Sequence, residues 1–153
     1  MIARRTLGKA HPLTVSAVGL GCMGLTPIYS KPDPDVAIAT VHRAVELGCT
    51  FLDSSDAYAF GANEELLAKA IKPIRSKIQL ATKFGQIRSA DGSMQVSGRP
   101  EYVMQACEKS LQRLGVEVID LYYQHRVDPT VPIEETVGAM KRLVEQGKVR
   151  ALG

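Results

Sequence analysis

No apolar run in the 153-residue sequence approaches the roughly 20 residues that a membrane-spanning helix needs. The opening lacks the apolar stretch of a secretory leader. Two arginines, Arg4 and Arg5, are followed by Lys9, His11 and Pro12, so no signal segment is expected. Cysteine is scarce: Cys22, Cys49 and Cys107 are odd in number and none has CxxC spacing. A disulfide framework and a zinc site are both disfavoured, and a reducing cytoplasm is expected. Histidine is equally sparse. None of His11, His42 and His125 lies three or four residues from another His or Cys, so no metal constellation stands out. The net charge of +3 is mild and its basic residues are scattered, which argues against nucleic acid as a partner. What remains is globular composition, with 45% apolar and 23% charged residues, over a length that fits one domain, residues 1–153.

The chain alternates β-rich runs with amphipathic helical runs. Residues 14–20 (TVSAVGL) read as a strand, and residues 4–7 with 14–17 could form an opening hairpin. Asp33 and Pro34 suit the cap and first turn of a helix. Its stripe is Ala37, Ile38, Val41, Ala44 and Val45, and Gly48 ends it. Strands follow at 50–53, 78–82, 118–123 and 149–152. Helices are expected at 64–71, from Pro100 to a stop at Gly115, and from Pro132 to a stop at Gly147. A polar loop is expected at 89–98. Strands apolar on both faces and alternating with helices demand a parallel sheet. Two architectures satisfy that: a doubly wound open sheet and a (β/α)8 barrel.

Gly19-Leu20-Gly21-Cys22-Met23-Gly24 matches the dinucleotide fingerprint GxGxxG directly after a strand. That site requires a helix opening inside the motif, so that its N-terminus meets the pyrophosphate. Here Leu25, Thr26 and Pro27 follow, and the first credible helix waits until Pro34. Asp53 also comes later than the ribose-binding acid expected about 20 residues beyond the glycines. The better reading is a glycine-rich turn that lets a ligand approach closely.

The strand ends carry the chemistry. Asp53 ends the second strand and Tyr58 follows five residues on; Lys83 ends the third and His125 the fourth. In a parallel barrel these ends share one rim, where active sites are built. A phenol beside an ammonium becomes a better proton donor, because the cation favours the ionised phenol. Asp53 would pair with Lys83 and neutralise it, while His125 would orient a substrate carbonyl. Tyr58 would give its proton to the developing alkoxide. No side chain supplies hydride, so a nicotinamide is implied.

The segments LDSSDAYAFGANEELLAKAI, IQLATKFG and IDLYYQHRVD resemble the aldo-keto reductase family. The resemblance extends over essentially the whole chain, including the LVEQGKVRALG ending, and is closer to the bacterial and plant members than to aldose reductase. It implies a TIM-type (β/α)8 barrel, of which this chain holds about strands 1–5, four helices and an N-terminal hairpin. It implies an Asp, Tyr, Lys and His tetrad at Asp53, Tyr58, Lys83 and His125. Cofactor contacts are implied at Gly21, Cys22, Met23 and Asp53, and NADP(H) as the cofactor in reduction of aldehydes and ketones. The partner would be a small-molecule carbonyl substrate. One departure is Ala59, where the family often has glycine; a positive φ there would strain it.

The family barrel typically takes about 250 residues. The chain is therefore expected to be the N-terminal half, to bind NADPH poorly alone, and to self-associate through open barrel edges. A truncated, weakly active fragment is one alternative. Another is a cofactor-holding subunit like the potassium-channel β subunits, against which His125 counts, since Asn is expected there. Singly, Asp53 could be a turn cap, Tyr58 a surface aromatic, Lys83 a solvated charge and His125 a backbone-satisfied imidazole. Their joint placement favours the catalytic reading. Asp56 reads as a loop hydrogen-bonder, Arg126 and Asp128 as rim residues, and Cys22 as packing rather than a nucleophile. One of Tyr122 and Tyr123 is expected to pack in the barrel, and His11 and His42 to lie on the surface or on a helix face.

Overall fold

A computed structural model describes residues 2–9, 12–29, 31–88 and 92–153; His11 lies outside them. Strand β1 (Arg4–Leu7) pairs antiparallel with β2 (Leu13–Ser16), Arg4 opposite Ser16 and Leu7 opposite Leu13. The expected single strand at 14–20 is instead two, because the chain turns after Ser16. The buried Ser16 hydroxyl donates to Val18 O at 2.7 Å and accepts from the amides of Thr50 and Phe51. This side-chain bond to the backbone two residues on replaces the ladder. It also ties the hairpin to the start of the next sheet strand.

Five parallel strands follow: β3 (Gly19–Gly21), β4 (Phe51–Asp53), β5 (Gln79–Phe84), β8 (Ile119–Gln124) and β9 (Val149–Leu152). Their spatial order, β3-β4-β5-β8-β9, is their sequence order. This decides between the two architectures. A doubly wound sheet reverses its order at a switch point, whereas a barrel adds each strand beside the last. Right-handed crossovers then put every helix on the same side. Accordingly α1 (Pro34–Glu46) packs on α2 (Ala62–Ile71), α2 on α3 (Pro100–Leu114), and α3 on α4 (Ile133–Glu145). The architecture is the incomplete (β/α)8 barrel expected.

The helices start and stop as the residues dictate. The Asp33 side chain accepts from the amides of Asp35 and Val36, with Pro34 at the first helical position of α1. Gly115 ends α3 at φ 63°, a left-handed residue that costs glycine nothing. Between sheet and helices lie Leu52, Leu80, Phe84, Ile119 and Tyr122 from the strands. Leu67, Ile71, Cys107, Leu114, Met140 and Leu143 meet them from the helices. Each fully buried side chain of this size contributes roughly 1.5–3 kcal/mol. Phe84 stacks on Tyr122 at 5.0 Å.

Tyr122 belongs to this sheet–helix core, and Tyr123, next along the strand, presents the other face and pairs in register with Lys83. The loop expected at 89–98 differs in its described part. β6 (Gln86–Arg88) and β7 (Met94–Val96) pair antiparallel at the mouth of β5. No helix among the described residues is long and apolar enough to cross a membrane.

Candidate active site

Past Asp53, the chain stays on the sheet for three more residues: Ser54 N donates to Ala81 O and Asp56 N to Lys83 O. It then turns sharply through Tyr58–Gly61. Three consecutive residues have positive φ: Ala59 at 48°, Phe60 at 57° and Gly61 at 91°. Ala59 and Phe60 thus occupy a left-handed conformation that costs an ordinary residue about 1–2 kcal/mol. The strain anticipated at Ala59 is present, and it extends to Phe60.

A buried polar framework fixes this turn. Asn63 accepts from Ser54 Oγ at 2.7 Å and donates to Cys22 O and Thr26 Oγ1. Glu64, fully buried, accepts from Thr82 Oγ1 at 2.6 Å and from Arg113 Nε at 2.7 Å. The start of α2 is thereby tied to the tip of β3, to β5 and to α3. The sequence reading missed these supports. The signal available was a polar pair, Asn63-Glu64, at the head of a helix whose inward face is otherwise apolar.

The structure brings Asp53, Tyr58, Lys83 and His125 together at one end of the sheet. Lys83 Nζ lies 2.5 Å from Asp53 Oδ1, 2.6 Å from Ser54 O and 3.3 Å from Tyr58 Oη. An ammonium has three protons and no lone pair, and here it has three acceptors. The Tyr58 oxygen is therefore an acceptor toward Lys83 and keeps its own proton to give elsewhere. The ammonium also sits 5.0 Å from the centre of the phenol ring, within cation–π range. His125 meets the same ring edge-on, at 5.8 Å and 85°.

The His125 amide donates to Phe84 O, and Nδ1 lies 3.1 Å from Ser55 Oγ. Burial, Lys83 and Arg126 together push its imidazole below the ordinary value of 6.5, so at neutral pH the ring is uncharged. Asp56 is pushed up to about 7 by burial, with Glu64 adding to the rise and Arg113 opposing it. It is indeed held by loop hydrogen bonds, from Ser55 Oγ and to Lys83 O.

The expected cofactor contacts divide. Gly21 pairs with Asp53 in the ladder, is exposed, and has open space where a side chain would stand. Met23 is half-buried in a short 3-10 turn, Met23–Leu25, and no long helix opens within the glycine motif. Cys22 is fully buried in the core, and its thiol donates to Leu20 O. Burial pushes that thiol up to about 12, an inert state. Its side chain is packing, and its main chain is spent as well: Cys22 N donates to Asp53 O, and Cys22 O accepts from Leu25 N and Asn63 Nδ2, so the expected cofactor contact at Cys22 is not available.

Asp128, expected to shape the rim, has its carboxylate turned inward. It is buried and accepts from the Gly98 amide, the Thr130 amide and Thr130 Oγ1. Those bonds hold its carboxyl below the usual range and join the loops flanking α3 and α4. Arg126 is exposed. His42, on α1, bonds Ala70 O.

The same fold recurs in known proteins. The sequence profile of the Aldo/keto reductase family matches residues 17–153. A probable aldo-keto reductase of Glycine max is 52% identical over 141 residues, 91% of this chain and 41% of that protein. An aldo-keto reductase from Bacillus halodurans, in its holo form, superimposes with a TM-score of 0.87 at 34% identity, over 100% of this chain and 50% of its own. The glycerol dehydrogenase of Gluconobacter oxydans gives 0.86 at 32%, over 98% and 47%. The chain belongs to the aldo/keto reductase family. It spans about half the length of these relatives.

Proposed function

We propose that this half-barrel carries the proton-donating half of an NADP-dependent carbonyl reductase, which converts aldehydes or ketones to alcohols. The observation that carries the reading is the three-way engagement of Lys83. Asp53 and Ser54 O fix two of its protons, and the third is directed at Tyr58. Tyr58 is left with one proton to give to an oxygen that gains charge. The neutral imidazole of His125 offers its remaining nitrogen, Nε2, to the same oxygen and orients it. Asp53 holds Lys83 in place and compensates its charge. The strained turn holds the phenol against Lys83.

The donor set fits a nicotinamide, because it provides a proton and no hydride. When bound, that cofactor supplies the hydride. Gly21, which pairs with Asp53 and has open space above it, would border it together with Met23 of the following turn. NADP in preference to NAD follows the family. The three unpaired, buried cysteines agree with a cytoplasmic setting. The outer strands β3 and β9 present free edges, through which the chain on its own would self-associate.

The test is NADPH oxidation against a panel of small aldehydes and ketones. It uses the chain fused to the second half of the Bacillus halodurans relative, with and without Tyr58→Phe. Loss of turnover by at least ~100-fold, with NADPH binding retained, is expected. Equal turnover in the Tyr58→Phe protein would remove Tyr58 from the acid role.

A further inference from the structure

Ser55 stands where three parts of the site meet, and its side chain has no exposed surface. One lone pair of its hydroxyl accepts from Ala57 N at 3.2 Å. Its single proton has three nearby acceptors: His125 Nδ1 at 3.1 Å, Asp56 Oδ1 at 3.3 Å and Lys83 O at 3.4 Å. The Lys83 carbonyl is the farthest and already accepts from Asp56 N. The effective choice is between the imidazole and the carboxyl.

An ionised Asp56 only accepts. Ser55 then donates to it and receives Nδ1–H from His125, which leaves Nε2 as a bare lone pair. A protonated Asp56 donates to Ser55, which in turn donates to a bare Nδ1, and the imidazole proton resides on Nε2. In both arrangements the serine oxygen accepts two bonds and gives one. No other side chain among the described residues hydrogen-bonds the imidazole.

We propose that Ser55 and Asp56 are positioning residues that set the tautomer of His125. Nε2 is a donor when Asp56 is protonated and an acceptor when it is ionised. The proton balance is simple. Asp56 releases one proton to solvent, and the imidazole keeps one proton, exchanged through solvent from Nε2 to Nδ1. A donor Nε2 suits a carbonyl oxygen, and an acceptor Nε2 suits an alcohol. The relay thus favours reduction at lower pH and oxidation at higher pH. This consequence rests on the carbonyl-reductase reading; the relay itself does not.

Asp56 has a path to solvent through a cavity of about 280 Å³, lined also by Phe60, Tyr102, Lys109 and Arg113. The charged and titratable groups acting on Asp56 are Glu64 of α2, Arg113 and Tyr102 of α3, and Tyr122 of β8, and Lys109 of α3 lines the same cavity. Those acting on His125 are Lys83, Arg126 and Asp53. Asp56 titrates near 7 while His125 lies below 6.5. A window therefore exists in which the imidazole is neutral and the carboxyl changes state.

The test is 15N NMR of this chain labelled at its three histidines, followed from about pH 6.5 to 8.5. In the wild type, Nε2 of His125 should move from the N–H resonance range to the bare-nitrogen range, with a midpoint at about 7. Asp56→Asn, whose amide donates to Ser55 at any pH, should hold Nε2–H throughout. Ser55→Ala should lose the step, and Ser55→Thr, which keeps the hydroxyl, should restore it. A step that survives Ser55→Ala or Asp56→Asn overturns the proposal, as does one tautomer on both sides of pH 7. The step without carbonyl reduction in the fused barrel would leave the relay standing and sink the carbonyl-reductase reading; reduction without the step would do the reverse.

Discussion

Arg113 reaches from α3 to the fully buried carboxylate of Glu64, 2.7 Å away, and its side chain lies against Gly61 at the end of the Tyr58 turn. A methyl group added at Gly61 would stand 2.7 Å from Arg113 Cδ. The pair therefore both neutralises a buried charge and backs the turn. Removing one partner leaves the other desolvated and alone, a loss of about 3–5 kcal/mol for fully buried pairs. Arg113 retains some exposure, so Arg113→Met is expected to destabilise the chain by about 3 kcal/mol in urea unfolding. A loss under ~1 kcal/mol would show that Glu64 is satisfied by Thr82 alone.

Ala59 offers the opposite case. Its φ of 48° and ψ of 40° cost an L-residue about 1–2 kcal/mol, which glycine does not incur. Glycine has a more disordered unfolded chain, worth about 0.5–1 kcal/mol against it. Ala59→Gly is expected to raise stability by roughly 0.5–1 kcal/mol, read as an upward shift in the thermal midpoint. A fall would mean that the Ala59 methyl contributes packing exceeding the strain.

Asp56 governs a pH-dependent share of stability. Its folded value, about 7, lies above its ordinary 3.8, so the native state holds a proton that the unfolded state releases. Wild-type stability therefore falls as pH rises through that window. Asp56→Asn lacks the ionisation. It should match the wild type near pH 4, gain on it up to pH 7 and stay level above. At ~1.4 kcal/mol per pH unit the ceiling is on the order of 4 kcal/mol, before the loop relaxes. Parallel unfolding curves at pH 4 and pH 8 check it; an equal offset at both would place the effect in packing instead.

Much of this site is legible in the sequence. Strand periodicity fixes which residue ends each strand, and parallel order puts those ends on one rim. Asp53, Tyr58, Lys83 and His125 could thus be grouped from sequence. The helix caps at Asp33 and Gly115 read equally directly, because a cap is a local matter. The misreadings came from contacts that local pattern does not encode. Ser16 breaks the run at 14–20 through its bond to Val18 O, while its hydroxyl is held by amides more than thirty positions away. Ser55 matters only because His125, seventy residues on, comes to lie beside it. Cys22 sits in a motif that suggests a ligand contact, yet its side chain turns inward. The hairpin of β6 and β7 has strands of only three residues each, too short for their alternation to stand out in a polar stretch.

Lys83 is the residue for which charge and shape can be separated. Its ammonium directs single protons at Asp53, Ser54 O and Tyr58, three acceptors in three directions. A guanidinium is planar and presents its protons in a fork. Lys83→Arg retains the positive charge and the bond to Asp53, but a planar group placed for the carboxylate cannot also serve the Ser54 carbonyl and the phenol. In the fused barrel, Lys83→Arg is therefore expected to lower kcat by about 10²-fold or more, near the loss in Lys83→Met. NADPH binding should change far less, because the substitution keeps a cation beside Asp53. Turnover in Lys83→Arg within a few-fold of wild type would mean that positive charge near the phenol suffices, and that the three-way arrangement is incidental to proton donation.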